Sequence, residues 1–265
     1  MALTKSLWRN RQLIVQMTKR EVVGRYKGSV MGLLWSFLNP VFMMAVYTFV
    51  FSGVFKARWG VGENETKTQF AIVLFVGMIV HGLFAEVLNR APNLILSNVN
   101  YVKKVIFPLE ILAVISMGAA LFHYLVSLFV LFIAFAIFNG FLHWTVIFTP
   151  LVISPLIILT LGLAWALASF GVFLRDVGQT IGVVTTVIMF FAPVFYSVNA
   201  IPETLRPWMM GNPLTFPIEQ ARAVIIFGQL PDWTGLLIYS VISMLVAWMG
   251  YAWFQKTRKG FADVL

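Results

Sequence analysis

Long uncharged stretches divide this chain of 265 residues into candidate membrane spans. Residues 33–55 contain no charged side chain, and residues 70–88 contain only His81 and Glu86 as ionisable groups. A helix that crosses the ~30 Å hydrocarbon core of a bilayer needs about 20 such residues. Each stretch therefore predicts a transmembrane helix.

A much longer stretch, residues 111–174, contains no Lys, Arg, Asp or Glu. It is too long for one crossing, so it must form two helices joined by a turn. Asn139-Gly140 is the turn sequence inside it. The remaining spans are therefore predicted at residues 111–138, 146–174, 177–200 and 233–254.

The pattern as a whole predicts an all-α polytopic membrane protein with six transmembrane helices. Composition agrees, because 60% of the residues are hydrophobic, 11% are charged and the mean hydropathy is +0.88. A soluble chain carries about 25% charged residues. We expect a single transmembrane domain over residues 1–265, with a cytoplasmic arm (1–32), a six-helix membrane region (33–255) and a cytoplasmic tail (256–265).

The net charge of +9 is distributed in the way that orients a membrane protein. Seven of the 19 Lys and Arg residues precede the first span, in a block too long for a secretory signal peptide. If both termini are cytoplasmic, fourteen basic residues lie on the cytoplasmic side and five lie outside. The positive-inside rule favours this topology over its inverse. The charge is therefore explained without a nucleic-acid partner.

The residue types limit the chemistry that this chain could perform. It has no Cys, which excludes disulfides, thiolate metal sites and a catalytic thiol. The three His residues are far apart and lack metal-motif spacing, so no metal site is expected. No P-loop motif is present, and the charged residues at the edges of the spans lie at predicted cytoplasmic helix ends rather than at the bilayer midplane; they are Glu86, Glu110, Arg175 and Asp176. The chain is therefore either passive or driven by a separate ATPase.

Three segments outside the spans have patterns of their own. In the arm, Leu13, Ile14 and Met17 lie among basic residues, which predicts an amphipathic helix at the cytoplasmic membrane surface; the alternative is a disordered basic tail. Residues 90–101 are mildly apolar and compatible with a short helix after Pro92. Residues 201–232 combine five prolines with many apolar side chains, which predicts re-entrant helices broken by proline.

Four motifs resemble the permeases of type-2 ABC exporters. They are YKGSVMGLLWSFLNPVF (residues 26–42), FLRDVGQ (173–179), PVFYS (193–197) and NPLTFPIEQAR (212–222). Within that family the chain is most similar to polysaccharide exporters for O-antigen, capsule or teichoic acid, and above all to the O-antigen permeases of Gram-negative bacteria. The resemblance extends over nearly the whole chain.

This resemblance implies a function and a set of partners. Two permeases would pair with two cytoplasmic ATPase subunits in the bacterial inner membrane and move a lipid-linked polysaccharide from the cytoplasm to the periplasm. ATP and Mg²⁺ would bind to the ATPase, while the permease would bind no cofactor and catalyse no reaction. The N-terminal helix (residues 7–27) and a coupling helix (90–101) would contact the ATPase, spans one and five would line a channel, and residues 201–232 would form its outer gate.

The resemblance also assigns candidate residues to the two ends of the permease. In the coupling helix, Leu94 and Ile95 are expected to fill a groove on the ATPase. The full coupling set is Arg90, Leu94, Ile95, Asn98 and Tyr101, and the outer-gate set is Asn212, Pro213, Glu219 and Arg222. Glu219 and Arg222 have the i,i+3 spacing of a helical ion pair, whose contribution to stability depends on its burial.

Aromatic residues in the outer halves of spans one and five are the candidates for the channel lining. They are Tyr47, Phe51, Phe55, Phe191, Phe195 and Tyr196. Aromatic rings suit the apolar C–H faces of sugars and would let a glycan slide past. The alternative is that they form the aromatic belt found where membrane helices meet water.

Several alternatives stay open at this stage. Asn39-Pro40 either opens a lateral path for a lipid anchor or is a structural kink. Arg175-Asp176 either contacts the ATPase or anchors a helix end. For the whole chain, the other functions considered are export of a lipid or drug and a membrane scaffold that transports nothing.

Overall fold

The computed structural model describes residues 2–50, 67–103 and 107–265, and every regular element within them is helical. The helices are α1 (Ala2–Arg9), α2 (Arg11–Arg25), α3 (Trp35–Tyr47), α4 (Lys67–Arg90), α5 (Val99–Lys103), α6 (Ile111–Asn139), α7 (Thr149–Phe173), α8 (Val177–Phe190), α9 (Arg206–Met210), α10 (Thr215–Ile225), α11 (Trp233–Thr257) and α12 (Phe261–Val264). The predicted all-α polytopic fold is confirmed.

Five helical stretches are long and apolar enough to cross a membrane: Gly32–Val50, Gln69–Asn93, Ile111–Asn139, Trp144–Phe173 and Trp233–Val264. They correspond to spans one, two, three, four and six of the sequence prediction. The predicted first span extends to residue 55, and its residues 51–55 lie outside the described part of the chain. The predicted turn between spans three and four is confirmed, because α6 ends at Asn139 and Gly140 adopts a left-handed conformation with φ of 77°.

The predicted fifth span is too long. Its helix, α8, has 14 residues, which is about 21 Å at 1.5 Å per residue and shorter than a bilayer core. The chain leaves the helix after Phe190 and turns at residues 191–197. Pro193 explains this end, because proline has no backbone N–H and disfavours helical geometry at the residue before it.

Both ends of the chain lie at the same end of the helix bundle. Ser6 Oγ donates a hydrogen bond to Glu110 Oε1 at 2.8 Å, and Arg258 donates to Glu110 Oε2 at 2.9 Å. We call this the terminal end. The opposite end, which we call the far end, holds the α6–α7 turn and the far-end segment, residues 191–232. Thr145 of the turn connects the two, because its hydroxyl donates a hydrogen bond to the Val224 carbonyl oxygen at 2.6 Å. Which end faces the cytoplasm stays a prediction.

The arm is helical, as predicted, and is divided into α1 and α2. Helix α2 packs along the first half of α6, where Thr18 lies against Gly118 and Val22 is buried. Leu13, Ile14 and Met17 pack against the core, while Lys19 and Arg20 are exposed. Helix α2 thus lies with one apolar side on the bundle, while its outer side carries apolar residues (Val15 and Val23) as well as basic ones.

Helix α4 forms the centre of the bundle, and α7 and α11 form its tightest pair. Small residues make that pair possible, because a Cβ atom on Gly162 would lie 2.5 Å from the Ala247 Cα, and one on Gly250 would collide with the Gly162 backbone. Close approach through small residues is typical of helices packed within membranes. The opposite side of α11 exposes large apolar residues such as Trp248 and suits contact with lipid.

Candidate functional site

The predicted coupling helix, residues 90–101, lies at the terminal end. In the structure it is not one helix but two 3-10 turns, Ala91–Asn93 and Leu96–Asn98, followed by α5, and we call residues 90–103 the coupling segment. Pro92 and Asn98 explain the irregular backbone. Proline cannot donate to a helical ladder, and the Asn98 side chain bonds the Leu94 carbonyl oxygen at 2.8 Å in place of continued helix.

The prediction that the side chains of Leu94 and Ile95 fill a groove on an ATPase is wrong. Their side chains are only 9% and 0% exposed, because both pack into the chain's own core. The surface that this segment presents to solvent is instead polar and includes Asn93, Ser97 and Asn100. Contact between this segment and an ATPase stays a prediction, and it would have to be made through these polar residues. Tyr101 is half-buried and stacks on Phe107, with ring centroids 4.5 Å apart.

Close packing joins the coupling segment to α7 and α8. A Cβ atom on Gly171 of α7 would lie 2.6 Å from the carbonyl carbon of Pro92 and closer still to its oxygen. At the end of α4, Asn89 accepts a hydrogen bond from Thr185 of α8 at 3.1 Å. At Gly171, backbone therefore lies against backbone, with no side chain between the coupling segment and α7.

A network of charged side chains joins the coupling segment to the arm. Arg90 pairs with Glu21 of α2, and Glu86 of α4 accepts from Arg25 at 2.6 Å and lies 2.9 Å from His123 of α6. Burial raises the pKa of Glu21, while Arg90 opposes that shift. The network ties three helices together at the terminal end.

Most of this network is not visible in the sequence. There, Glu86 is a charge at a helix end, and His123 is one of three widely separated histidines. The spacing of Glu86 and Arg90, which lie 3.9 Å apart as an i,i+4 pair, was a visible signal. The contacts to Arg25 and His123 are formed only by tertiary packing.

A cavity of ≈ 230 Å³ lies between α3, α4 and α6, beside this network. Its lining includes Glu86 and His123 together with Asn39, Pro40 and Tyr47 of the first span. Pro40 lies inside α3, and Asn39 is exposed. Tyr47, one of the channel candidates, therefore lines the same cavity as Asn39.

The aromatic candidates of the far end lie elsewhere. Phe191, which is 60% exposed, and Tyr196 line an apolar cavity of ≈ 770 Å³ together with Leu205 and Trp208. Phe195 stacks on Phe190, with ring centroids 5.6 Å apart. One copy of the chain thus places Tyr47 and Phe191 in two different cavities. The candidates Phe51 and Phe55 lie outside the described residues.

The far-end segment returns into the bundle, as the re-entrant prediction requires. Ala221 and Ile225 of α10 meet Val76 and Val80, in the middle of α4. Asn212 fixes the turn before α10, because its side chain donates to the Ile188 carbonyl oxygen at 2.8 Å and accepts from the Leu214 N–H at 2.9 Å.

The other predicted gate residues also join separate elements. The Pro213 carbonyl oxygen accepts from Tyr239 of α11 at 2.8 Å. Arg222 is fully buried and bonds Glu219 Oε1 at 3.0 Å, so the predicted i,i+3 pair is present. Arg222 also donates to the carbonyl oxygens of Val73, Pro193 and Val194, which sequence reasoning did not anticipate.

The candidate site consists of surfaces and cavities at the two ends of the bundle. Within residues 2–50, 67–103 and 107–265, no three His, Cys, Asp or Glu side chains are grouped so that they could hold a metal ion. The described residues present an exposed polar surface at one end, an apolar aromatic cavity at the other, and a buried helix bundle between them.

Comparison with known proteins identifies a transporter family. Residues 12–227 match the ABC-2 type transporter family. The chain is similar to the O-antigen export system permease protein RfbA of Myxococcus xanthus, with 27% identity over 263 residues that cover 98% of both chains. Two proteins of the same name from Klebsiella pneumoniae are 25% and 24% identical over 256 residues, covering 96% of this chain and 95% of each relative.

Proposed function

Because the chain belongs to the ABC-2 type transporter family, we propose that it is the permease subunit of an ATP-driven exporter of a lipid-linked polysaccharide, with O-antigen as the candidate glycan. The observation that carries this proposal is the similarity, over 96% or more of the chain, to three proteins named as O-antigen export permeases. Five helices suited to crossing a membrane and a re-entrant segment are consistent with such a subunit.

A separate ATPase would supply the energy. The sequence contains no P-loop motif, so ATP and Mg²⁺ would be held by that partner. The transporter would contain two copies of this chain and two ATPase subunits in the bacterial inner membrane. Its terminal end would face the cytoplasm, which the excess of basic residues at that end supports.

The ATPase would dock on the polar surface of the coupling segment. Asn93, Ser97 and Asn100 are exposed there, and Gly171 lets the segment sit directly on α7. A displacement of the segment by the ATPase would therefore reach α7 without passing through a flexible linker. The salt-bridge network around Glu86 would carry the same displacement to the arm and to α6.

The glycan would follow the aromatic surfaces of α3 and α8. In one copy these surfaces are open: Phe191 is exposed, and Tyr47 lies in a separate cavity from it. A second copy would be needed to close the grooves into a channel, which is the physical argument for a homodimer. Aromatic rings would then offer weak, repeated contacts to successive sugars.

The proposal is tested by deleting the gene and locating the polymer. Loss of this chain should leave lipid-linked polysaccharide on the cytoplasmic side of the inner membrane, and re-expression should restore surface glycan. Normal surface glycan in the deletion strain, with altered transport of a lipid or drug, would favour the lipid or drug exporter. Normal transport of every such substrate, with loss of a membrane complex, would favour the scaffold.

A further inference from the structure

The two halves of the far-end segment differ in how they are held. Helix α10 is buried, with Ile218, Ala221 and Val224 fully enclosed. Residues 200–211, which we call the strap, lie mostly on the surface, with Trp208 79% exposed and Leu205 and Met210 also exposed. Arg206 of the strap bonds the strap's own Ile201 carbonyl oxygen. One half is thus part of the core, and the other rests upon it.

A single buried cation holds the base of this segment. The Arg222 guanidinium is 0% exposed and donates to Val73 O of α4 at 3.0 Å, to Pro193 O at 2.5 Å and to Val194 O at 3.1 Å. It therefore connects α10, the turn after α8, and α4. Removing a charge from water is costly, so a buried guanidinium persists only where hydrogen bonds of this kind surround it.

The sequence of α4 makes room for this cation. A Cβ atom on Gly77 would lie 3.0 Å from an Arg222 terminal nitrogen and 3.2 Å from the Val194 Cα. Any larger residue would press on the guanidinium and on the turn at once. Gly77 and Arg222 are thus packed against each other, although they are far apart in the sequence.

We propose that Arg222, seated against Gly77, is a positioning residue that fixes α10 and the 193–194 turn to α4 as an immobile base, so that opening of the far end is confined to the strap. This inference rests on the proposed function, in which the far end is the exit for the glycan. The strap ends at Gly211, next to the Asn212 side chain that bonds α8, so movement of the strap stops at that anchor.

Cysteine reactivity separates the base from the strap, since the chain has no native Cys. Val194→Cys would report on the buried base, and Trp208→Cys on the exposed strap. In the otherwise unchanged protein, Cys at 194 should react with a water-soluble maleimide far more slowly than Cys at 208. Adding Arg222→Met should raise the reaction rate at 194 by about tenfold, because the turn can then open locally. The rate at 208 should stay within about twofold.

Two further variants distinguish loss of the Arg222 contacts from loss of the whole fold. Gly77→Ala, a change of one methyl group, should raise the rate at 194 in the same direction by displacing the guanidinium. Arg222→Lys should give an intermediate rate, because an ammonium keeps the charge but not the planar fork of donors. Each protein is first checked for a single symmetrical peak in gel filtration.

Two results would overturn the inference. An unchanged rate at 194 in both Arg222→Met and Gly77→Ala would show that the guanidinium does not hold the turn. An equal rise at 194 and 208 would show general loosening instead of a fixed base. The measurement requires no export, so a wild-type chain that exports no glycan would refute the proposed function and leave this result standing.

Discussion

Replacing Gly171 with alanine should weaken the junction between the coupling segment and α7. The new methyl group would lie 2.6 Å from the carbonyl carbon of Pro92, whereas ordinary contact begins at 3.4 Å. The backbone of the segment must therefore withdraw by more than about 0.8 Å, the difference between those distances, because the Pro92 oxygen is closer still. Forced overpacking of this kind costs about 1–3 kcal/mol, and the upper half of that range applies because backbone cannot rotate away.

The expected result is partial uncoupling. The ATPase should still copurify, since the polar docking surface is intact, and ATP hydrolysis should continue. Surface glycan should fall, because the displaced segment no longer moves α7 with it. The assays are thermal unfolding of the purified permease in detergent, ATP hydrolysis by the complex, and glycan at the cell surface.

Gly182→Ala is the matched control for stability. A Cβ atom there meets nothing within 4 Å, so this change should leave the unfolding temperature unchanged or raise it slightly through better helix propensity. If Gly171→Ala melts at the same temperature as the parent and exports at the parental rate, the close junction plays no part in coupling. The reasoning from backbone contact would then be refuted.

Three other predictions concern topology, docking and the channel. Lys259→Cys should react with an impermeant thiol reagent only after the membrane is permeabilised; reaction from outside in intact spheroplasts would contradict the orientation. Ser97→Trp, on the exposed face of the coupling segment, should detach the ATPase while permease yield stays normal; copurification at the parental level would exclude docking there. Phe51→Ala combined with Phe55→Ala should reduce surface glycan, whereas Phe129→Ala, on an exposed side chain of α6, should not; equal surface glycan in both proteins would assign Phe51 and Phe55 to the lipid belt.

Most spans could be predicted because lipid imposes a simple pattern. An uncharged run of bilayer length must be helical, and the predicted third and sixth spans, 111–138 and 233–254, agree closely with α6 and α11. The length predicted for the fifth span was wrong, because the hydrophobic sequence continues past Phe190 while the helix ends there. Pro193 was visible in the sequence, but proline is tolerated inside membrane helices, as Pro40 and Pro155 show here.

The sites could be located by sequence but not resolved in detail. Residues 90–101 and 201–232 were recognised as structured, yet the buried orientation of Leu94 and Ile95 depends on the irregular turns around Pro92. The partners of Arg222 are mainly backbone carbonyl oxygens, and Val73 lies 149 residues away in sequence. Every residue has a backbone carbonyl oxygen, so the residue types do not show which of them a buried guanidinium will bond. These contacts could therefore not be predicted.

Transport of a lipid-linked polysaccharide by this chain and an ATPase can be measured in inside-out inner-membrane vesicles. The vesicles contain both subunits and carry a labelled lipid-linked O-antigen on their outer surface. We expect ATP to make the glycan inaccessible to an added glycosidase, and vesicles that lack this chain, or carry an ATPase unable to hydrolyse ATP, to give no protection. Equal protection in vesicles without this chain would show that it does not carry the glycan.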